Sequence, residues 1–141
     1  MKKIIIVFTA ILALTFISCK QEKKEESTPT QMQEVMAVHD EVMPKMSTIN
    51  SLIKKLEVKI DTTETGIKYE KAMQDLQAAN KTMMDWMVGF GEKFDSDEIM
   101  KGKALTDEKK KWLDEEEIKV NAMKEQINSS IKNAEILLGV E

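Results

Sequence analysis

Apolar residues recur every three or four positions along three long segments of the chain, which is the spacing of one face of an α-helix. The first segment runs from Gln31 to about Ile60. Its stripe consists of Met32, Met36, His39, Met43, Met46, Ile49, Ile53, Leu56 and Ile60. Pro44 falls inside this stripe. Because proline removes one backbone hydrogen bond and clashes with the preceding turn, we expect a kink over residues 40–44, with two separate helices as the alternative.

Two further stripes predict helices over about residues 66–90 and 106–138. The second helix follows a connector of cap-forming residues, and we expect it to end at Gly89 and Gly91. Its stripe consists of Tyr69, Met73, Leu76, Asn80, Met83, Met87 and Phe90. The third starts after a capping Thr106, ends at Gly139, and uses Trp112, Leu113, Val120, Met123, Ile127, Ile131, Ala134, Leu137 and Leu138. A loop with one short helical turn near 96–101 separates them. The pattern predicts an all-α, elongated up-down-up three-helix bundle.

The first nineteen residues, MKKIIIVFTAILALTFISC, have a different organisation. Two lysines precede an uncharged run that ends at Ile17, and Ser18 and Cys19 follow. The run is too short for a membrane-spanning helix and leads into the polar KQEKKEES. This layout resembles a bacterial lipoprotein signal peptide, although Phe16 replaces the leucine usual three residues before the cysteine. An ordinary signal peptide is the alternative, but it would leave a single cysteine without a partner in an oxidising compartment.

The resemblance implies three regions: a cleaved signal peptide over 1–18, a lipidated Cys19 with a flexible polar tether over 19–30, and a helical domain over 31–141. Attachment to membrane lipid would occur through acylated Cys19, and two or more acyl chains would make it effectively permanent. Lys20 rather than aspartate follows the cysteine, so the retention signal of enteric inner-membrane lipoproteins is absent. We expect the cell envelope of a Gram-negative bacterium, at the outer membrane, with the domain facing either side.

Composition excludes several classes of function. The chain has 21 Lys+Arg, all lysine, against 25 Asp+Glu, and loss of the signal peptide would move the net charge from −4 to −6. An acidic chain without arginine lacks the electrostatic pattern of a nucleic-acid-binding protein. The sequence contains no nucleophile elbow, phosphate-binding glycine loop or HExxH motif. Residues 95–98 do not complete a calcium loop. The three glutamates of 115–117 are expected to form a solvated helix face. We expect neither an enzyme nor a cofactor.

Methionine is unusually frequent, with eleven in 141 residues. Met36, His39 and Met43 are spaced to lie on one helix face, and thioether and imidazole groups suit the soft cations Cu(I) and Ag(I). Methionine is also a flexible gap-filler in helical cores and binding grooves, and this stripe continues into Ile49 as a core seam does. Packing or partner contact is the favoured interpretation, and soft-metal binding is the alternative.

Three residues extend beyond the narrow seams of the second and third helices: Met84, Trp86 and Trp112. They predict an exposed apolar patch that contacts a partner protein. We therefore expect a lipid-anchored, non-catalytic envelope protein that binds or scaffolds another envelope protein through a Met-rich helical surface. The alternative function is soft-metal binding or stress sensing through methionine and histidine ligands.

Two stretches, HDEVMPKM over 39–46 and NKTMMDWM over 80–87, resemble small bacterial envelope lipoproteins of unknown function that often carry the label "viral A-type inclusion protein". The resemblance extends over about residues 31–138. It implies a coiled-coil-like composition and no established activity. The lipidated Cys19 is the one functional residue that it transfers to this chain.

Overall fold

The structure, a computed structural model, describes residues 29–140, and every regular element in that range is an α-helix. The predicted signal peptide and residues 19–28 of the predicted tether lie outside the described residues. The helices are α1 (Gln31–Val42), α2 (Lys45–Glu57), α3 (Glu64–Lys93), α4 (Ser96–Lys101) and α5 (Asp107–Leu138). Together α1 and α2 form the first rod, beside α3 and α5. The predicted all-α up-down-up three-helix bundle is confirmed, and its 32-residue α5 is about 48 Å long.

Pro44 divides the first predicted helix into two. Met43 still donates its backbone N–H to the carbonyl oxygen of His39 at 2.9 Å, and both Met43 and Pro44 keep right-handed helical torsions. Proline has no N–H to donate, and the next bond is a shorter-range one from Met46 to the Met43 carbonyl at 3.2 Å. The expectation of one kinked helix is therefore replaced by its alternative, two helices. Their hydrogen-bond ladder is interrupted while the backbone stays helical.

The first rod and α5 run parallel in a fixed register. Three side-chain pairs join them, each separated by 83 positions: Gln31 with Asp114 at 2.8 Å, Glu41 with Lys124 at 2.7 Å, and Lys45 with Asn128 at 2.6 Å. Two of these pairs lie before Pro44 and one lies after it. The proline break therefore leaves the register of the rod on α5 unchanged.

The buried positions are spaced alternately three and four residues apart, as in the seam of a coiled coil. In α5 the seam is Leu113, Glu116, Val120, Met123, Ile127, Ser130 and Ala134. In α3 it is Ala72, Leu76, Ala79, Met83, Trp86 and Phe90. In the first rod, Val35 and Val42 are fully buried, whereas their predicted neighbours Met36 and Met43 are half-buried and exposed. The predicted stripe is therefore confirmed at Met32 and His39, whereas Met36 and Met43 each lie one position after the true seam residue.

The predicted end of the second helix at Gly89 and Gly91 is wrong, because α3 continues to Lys93. Phe90 and Phe94 are both buried, and the Phe94 N–H bonds to the Phe90 carbonyl at 3.0 Å. Burying a phenylalanine side chain contributes about 1.5–3 kcal/mol, whereas each glycine costs a helix about 1 kcal/mol. The two aromatic anchors therefore outweigh the two glycines.

The predicted short helical turn near 96–101 is confirmed as α4. Asp95 caps it by accepting from backbone N–H groups, Glu98 bonds back to the Asp95 N–H, and Gly102 ends it with a φ of 69°. Each carboxylate also has a lysine partner: Lys103 donates to Asp95 at 2.8 Å and Lys109 to Glu98 at 2.6 Å. The hydrogen bond from Lys103 holds the pKa of Asp95 at about 2. These acids serve the local fold of the connector.

Gly66, in the first turn of α3, has no room for a side chain. A Cβ there would lie 2.5 Å from both the backbone N and O of Asp61, which no shift of a flexible side chain relieves. We expect Gly66→Ala to lower the free energy of unfolding by about 1–3 kcal/mol, measured by urea denaturation. The matched control is Gly91→Ala, where a Cβ meets nothing within 4 Å and alanine should stabilise the helix by about 0.5–1 kcal/mol. Equal effects at both positions would contradict the crowding argument.

Candidate functional site

Two of the candidate residues, His39 and Trp86, meet between α1 and α3, whereas Cys19 lies outside the described residues. The backbone of α1 packs closely on α5 and scarcely approaches α3. An aromatic stack occupies the intervening space. His39 of α1 stacks on Trp86 of α3 with ring centroids 5.6 Å apart, Trp86 stacks on Phe90 at 4.8 Å, and Phe90 contacts Phe94 at 4.8 Å. The four-residue spacing places Trp86 and Phe90 on one face of α3, and Phe94, the C-cap residue of α3, extends the stack beyond the helix.

His39 is buried and only one of its two ring nitrogens has a partner. Nδ1 lies 3.0 Å from Oδ1 of Asp40, and because a carboxylate can only accept, Nδ1 carries the proton and donates. Nε2 is buried and has no hydrogen-bond partner. The same is true of Nε1 of Trp86. A buried polar atom without a partner costs about 1–3 kcal/mol, so these two atoms mark an unusual point in the core.

The predicted metal ligands differ in burial. His39 is 7% exposed, Met36 is half-buried, and Met43 is 54% exposed. Met36 precedes His39 by three residues and Met43 follows it by four, so all three belong to one side of α1. Within residues 29–140, no group of three or more His, Cys, Asp or Glu side chains is arranged to hold a metal ion.

The predicted partner patch is only partly present. Met84 is 55% exposed and Trp112 is half-buried, but Trp86 is 8% exposed and belongs to the aromatic stack. The expectation of an exposed Trp86 is therefore wrong, because it occupies a seam position of α3. Met87 and Val88 are exposed beside Met84, three and four residues further along the helix. We name Met84, Met87 and Val88 the α3 apolar strip.

A buried ion cluster lines a groove of about 470 Å³ between α3 and α5, to which Trp86 also contributes. Glu116 is 3% exposed and accepts from Lys93 at 2.6 Å and from Lys119 at 2.8 Å. Burial alone would raise the pKa of Glu116, but the two lysines outweigh it and the pKa lies below the usual 4.5. The same contact raises the pKa of Lys119.

The expectation of a solvated face over residues 115–117 is therefore wrong for the middle glutamate. Its spacing carried the signal that was missed: Glu116 follows Leu113 by three residues and precedes Val120 by four, which places it in the seam. The groove around it has an apolar floor that includes Trp86 and Met123. Because Glu116 is already paired with two cations, its role here is to hold α3 on α5.

Comparison with known proteins found no relative: no protein-family model, curated protein or solved structure matches this chain. Among the helices of residues 29–140, none combines the length and the apolar character needed to cross a bilayer.

Proposed function

We propose that the chain is a lipid-anchored, non-catalytic envelope protein that binds another protein through the α3 apolar strip. The observation that carries this proposal is the exposure of Met84, Met87 and Val88 on consecutive turns of one helix. Flexible thioether side chains suit a surface that must adapt to a partner, and adjacent exposed apolar groups are typical of interaction sites.

Chain length supports a position close to a membrane. Nine residues lie between Cys19 and Pro29, the first described residue, and the ten Cα–Cα steps from Cys19 to Pro29 span at most about 33–36 Å. The start of α1 lies at the same end of the bundle as the end of α3, because Gln31 bonds to Glu117 while Lys93 bonds to Glu116. The α3 apolar strip lies within about 14 Å of that end. We infer that its partner is a protein of the same membrane.

The test compares the wild type with Cys19→Ala in a Gram-negative host. The wild type is expected to incorporate labelled palmitate and to remain with membranes, whereas Cys19→Ala incorporates no label. Lys20→Asp is the matched control: it keeps the label, and by resemblance to enteric lipoproteins it should move the protein to the inner membrane. Equal labelling of the wild type and Cys19→Ala would overturn the anchor.

The partner surface is tested in the same membranes with a photo-crosslinking residue at position 84. The matched control is position 118, because Ile118 is also exposed but stands on α5, away from the strip. We expect one discrete adduct from position 84, none from position 118, and loss of the adduct in the Cys19→Ala background. The same adducts from both positions would show non-specific proximity and overturn the strip as a binding surface.

A further inference from the structure

His39 has the features of a ligand that is held in position for a metal ion. In the neutral imidazole, an Nδ1–H donated to Asp40 leaves the lone pair on Nε2, which is buried and without a partner. The ring lies at 26° to the Trp86 ring, so the in-plane lone pair of Nε2 does not point at the indole face. A histidine that ligates a metal characteristically donates its other ring N–H to a carboxylate or carbonyl, as His39 does to Asp40.

Two methionines flank His39 along the chain, Met36 within α1 and Met43 at its C-cap. At 100° per residue, Met36 and Met43 are about 60° and 40° from His39 around the α1 axis, on the same side of it. The helical geometry extends to Met43, because the Met43 N–H still bonds to the His39 carbonyl at 2.9 Å. Half-buried Met36 and exposed Met43 retain the freedom to turn their sulfur atoms toward Nε2.

We propose that His39, Met43 and Met36 bind one soft monovalent cation, Cu(I), with Trp86 as an aromatic wall. Imidazole and thioether donors select Cu(I) over hard cations, which require the clustered carboxylates that this region does not supply. Trp86 is stacked on His39 with ring centroids 5.6 Å apart, so the indole covers one face of the imidazole and excludes water from that side. The site is separate from the α3 apolar strip and does not depend on lipid attachment.

The experiment uses the full chain with Cys19→Ala, which removes the thiol that would compete for soft metals, and with Trp112→Phe, which leaves Trp86 as the fluorescent reporter. Ag(I), and then Cu(I) under anaerobic conditions with a competing chelator, are titrated against tryptophan emission. We expect one equivalent to bind with a Kd below about 1 μM and to quench Trp86. Zn(II) in the same titration is expected to leave the emission unchanged.

Three variants decide whether the bound ion is at this site. Met43→Leu removes a sulfur from an exposed position and should weaken binding without altering helicity; Met100→Leu is the matched control, because Met100 is 78% exposed on α4. Asp40→Asn keeps His39 but removes its charged orienting partner, and should weaken binding by about 10–100-fold. A Kd above about 1 μM, or equal affinities in Met43→Leu, Asp40→Asn and the control, would overturn the site.

Discussion

The double variant Lys93→Met with Lys119→Met is expected to lose about 3–5 kcal/mol of unfolding free energy at neutral pH. Both lysines donate to Glu116, which is almost completely buried between α3 and α5. Removing them leaves an uncompensated carboxylate in the seam, while the methionines keep most of the apolar stems. Urea denaturation followed by far-UV circular dichroism measures the loss.

A triple variant identifies the cause of that loss. Adding Glu116→Leu to the two lysine replacements removes the stranded charge and supplies an apolar side chain at a seam position. Replacing a buried ion cluster by packed apolar residues is often neutral or stabilising, so we expect the triple variant to recover wild-type stability or exceed it. A triple variant as unstable as the double would show that the lysine stems, and not the charge, hold the helices together.

The pH dependence gives a second check with a defined sign. In the wild type the pKa of Glu116 is lowered, so its stabilising contribution is present above pH 4.5 and is lost as pH falls through the lower folded value. In the double variant burial is no longer opposed, so the pKa of Glu116 should be raised. Protonation then relieves the buried charge, and the stability gap between the double variant and the wild type should narrow as pH decreases toward 4.

Trp86→Ala is the second substitution with a large expected cost, about 3–5 kcal/mol of unfolding free energy. Its indole is packed between the rings of His39 and Phe90 and fills the space where the backbones of α1 and α3 stay apart. Alanine would leave a cavity that the separated backbones cannot easily close, and it would also remove two aromatic stacking contacts worth about 0.5–1.5 kcal/mol each.

Two controls accompany this measurement. Trp112→Ala removes the same side chain from a half-buried position at the edge of the core, so a clearly smaller loss is expected. Met84→Ala, on the α3 apolar strip, should change stability by no more than about 0.5 kcal/mol. Equal losses for the two tryptophans would contradict the central position of Trp86 and restore it to the partner surface.

The parts of this fold that could be predicted from sequence are those set by local signals. Thr106 caps α5 and Gly139, with a φ of 65°, ends it, as their types and positions predict. The three long stripes identify the three rods, because a β-strand does not show apolar residues at three- and four-residue spacing over about 25 residues. An interruption at Pro44 also follows from the chemistry of one residue. Whether it produces one kinked helix or two helices depends on packing.

The parts that could not be predicted depend on how one helix is rotated against another. Val35 and Met36 are adjacent in sequence and both are apolar. Val35 enters the core because of the way α1 is rotated against α5, and the local sequence does not encode that rotation. The spacing of Glu116 places it in the seam of α5, but its cationic partner Lys93 comes from a different helix, and no local pattern identifies that pairing. The orphaned Nε2 of His39 is likewise a property of tertiary packing.

The constant separation of 83 positions between the first rod and α5 has a consequence for the order of synthesis. At about 5–20 residues per second, α1 waits about 4–17 s for its parallel partner to be made. During that interval α3 offers it little backbone contact, so the apolar seam of α1 stays uncovered longest. Because α2 can already pack on α3, α1 is the segment that most needs protection by a chaperone while the chain is being made.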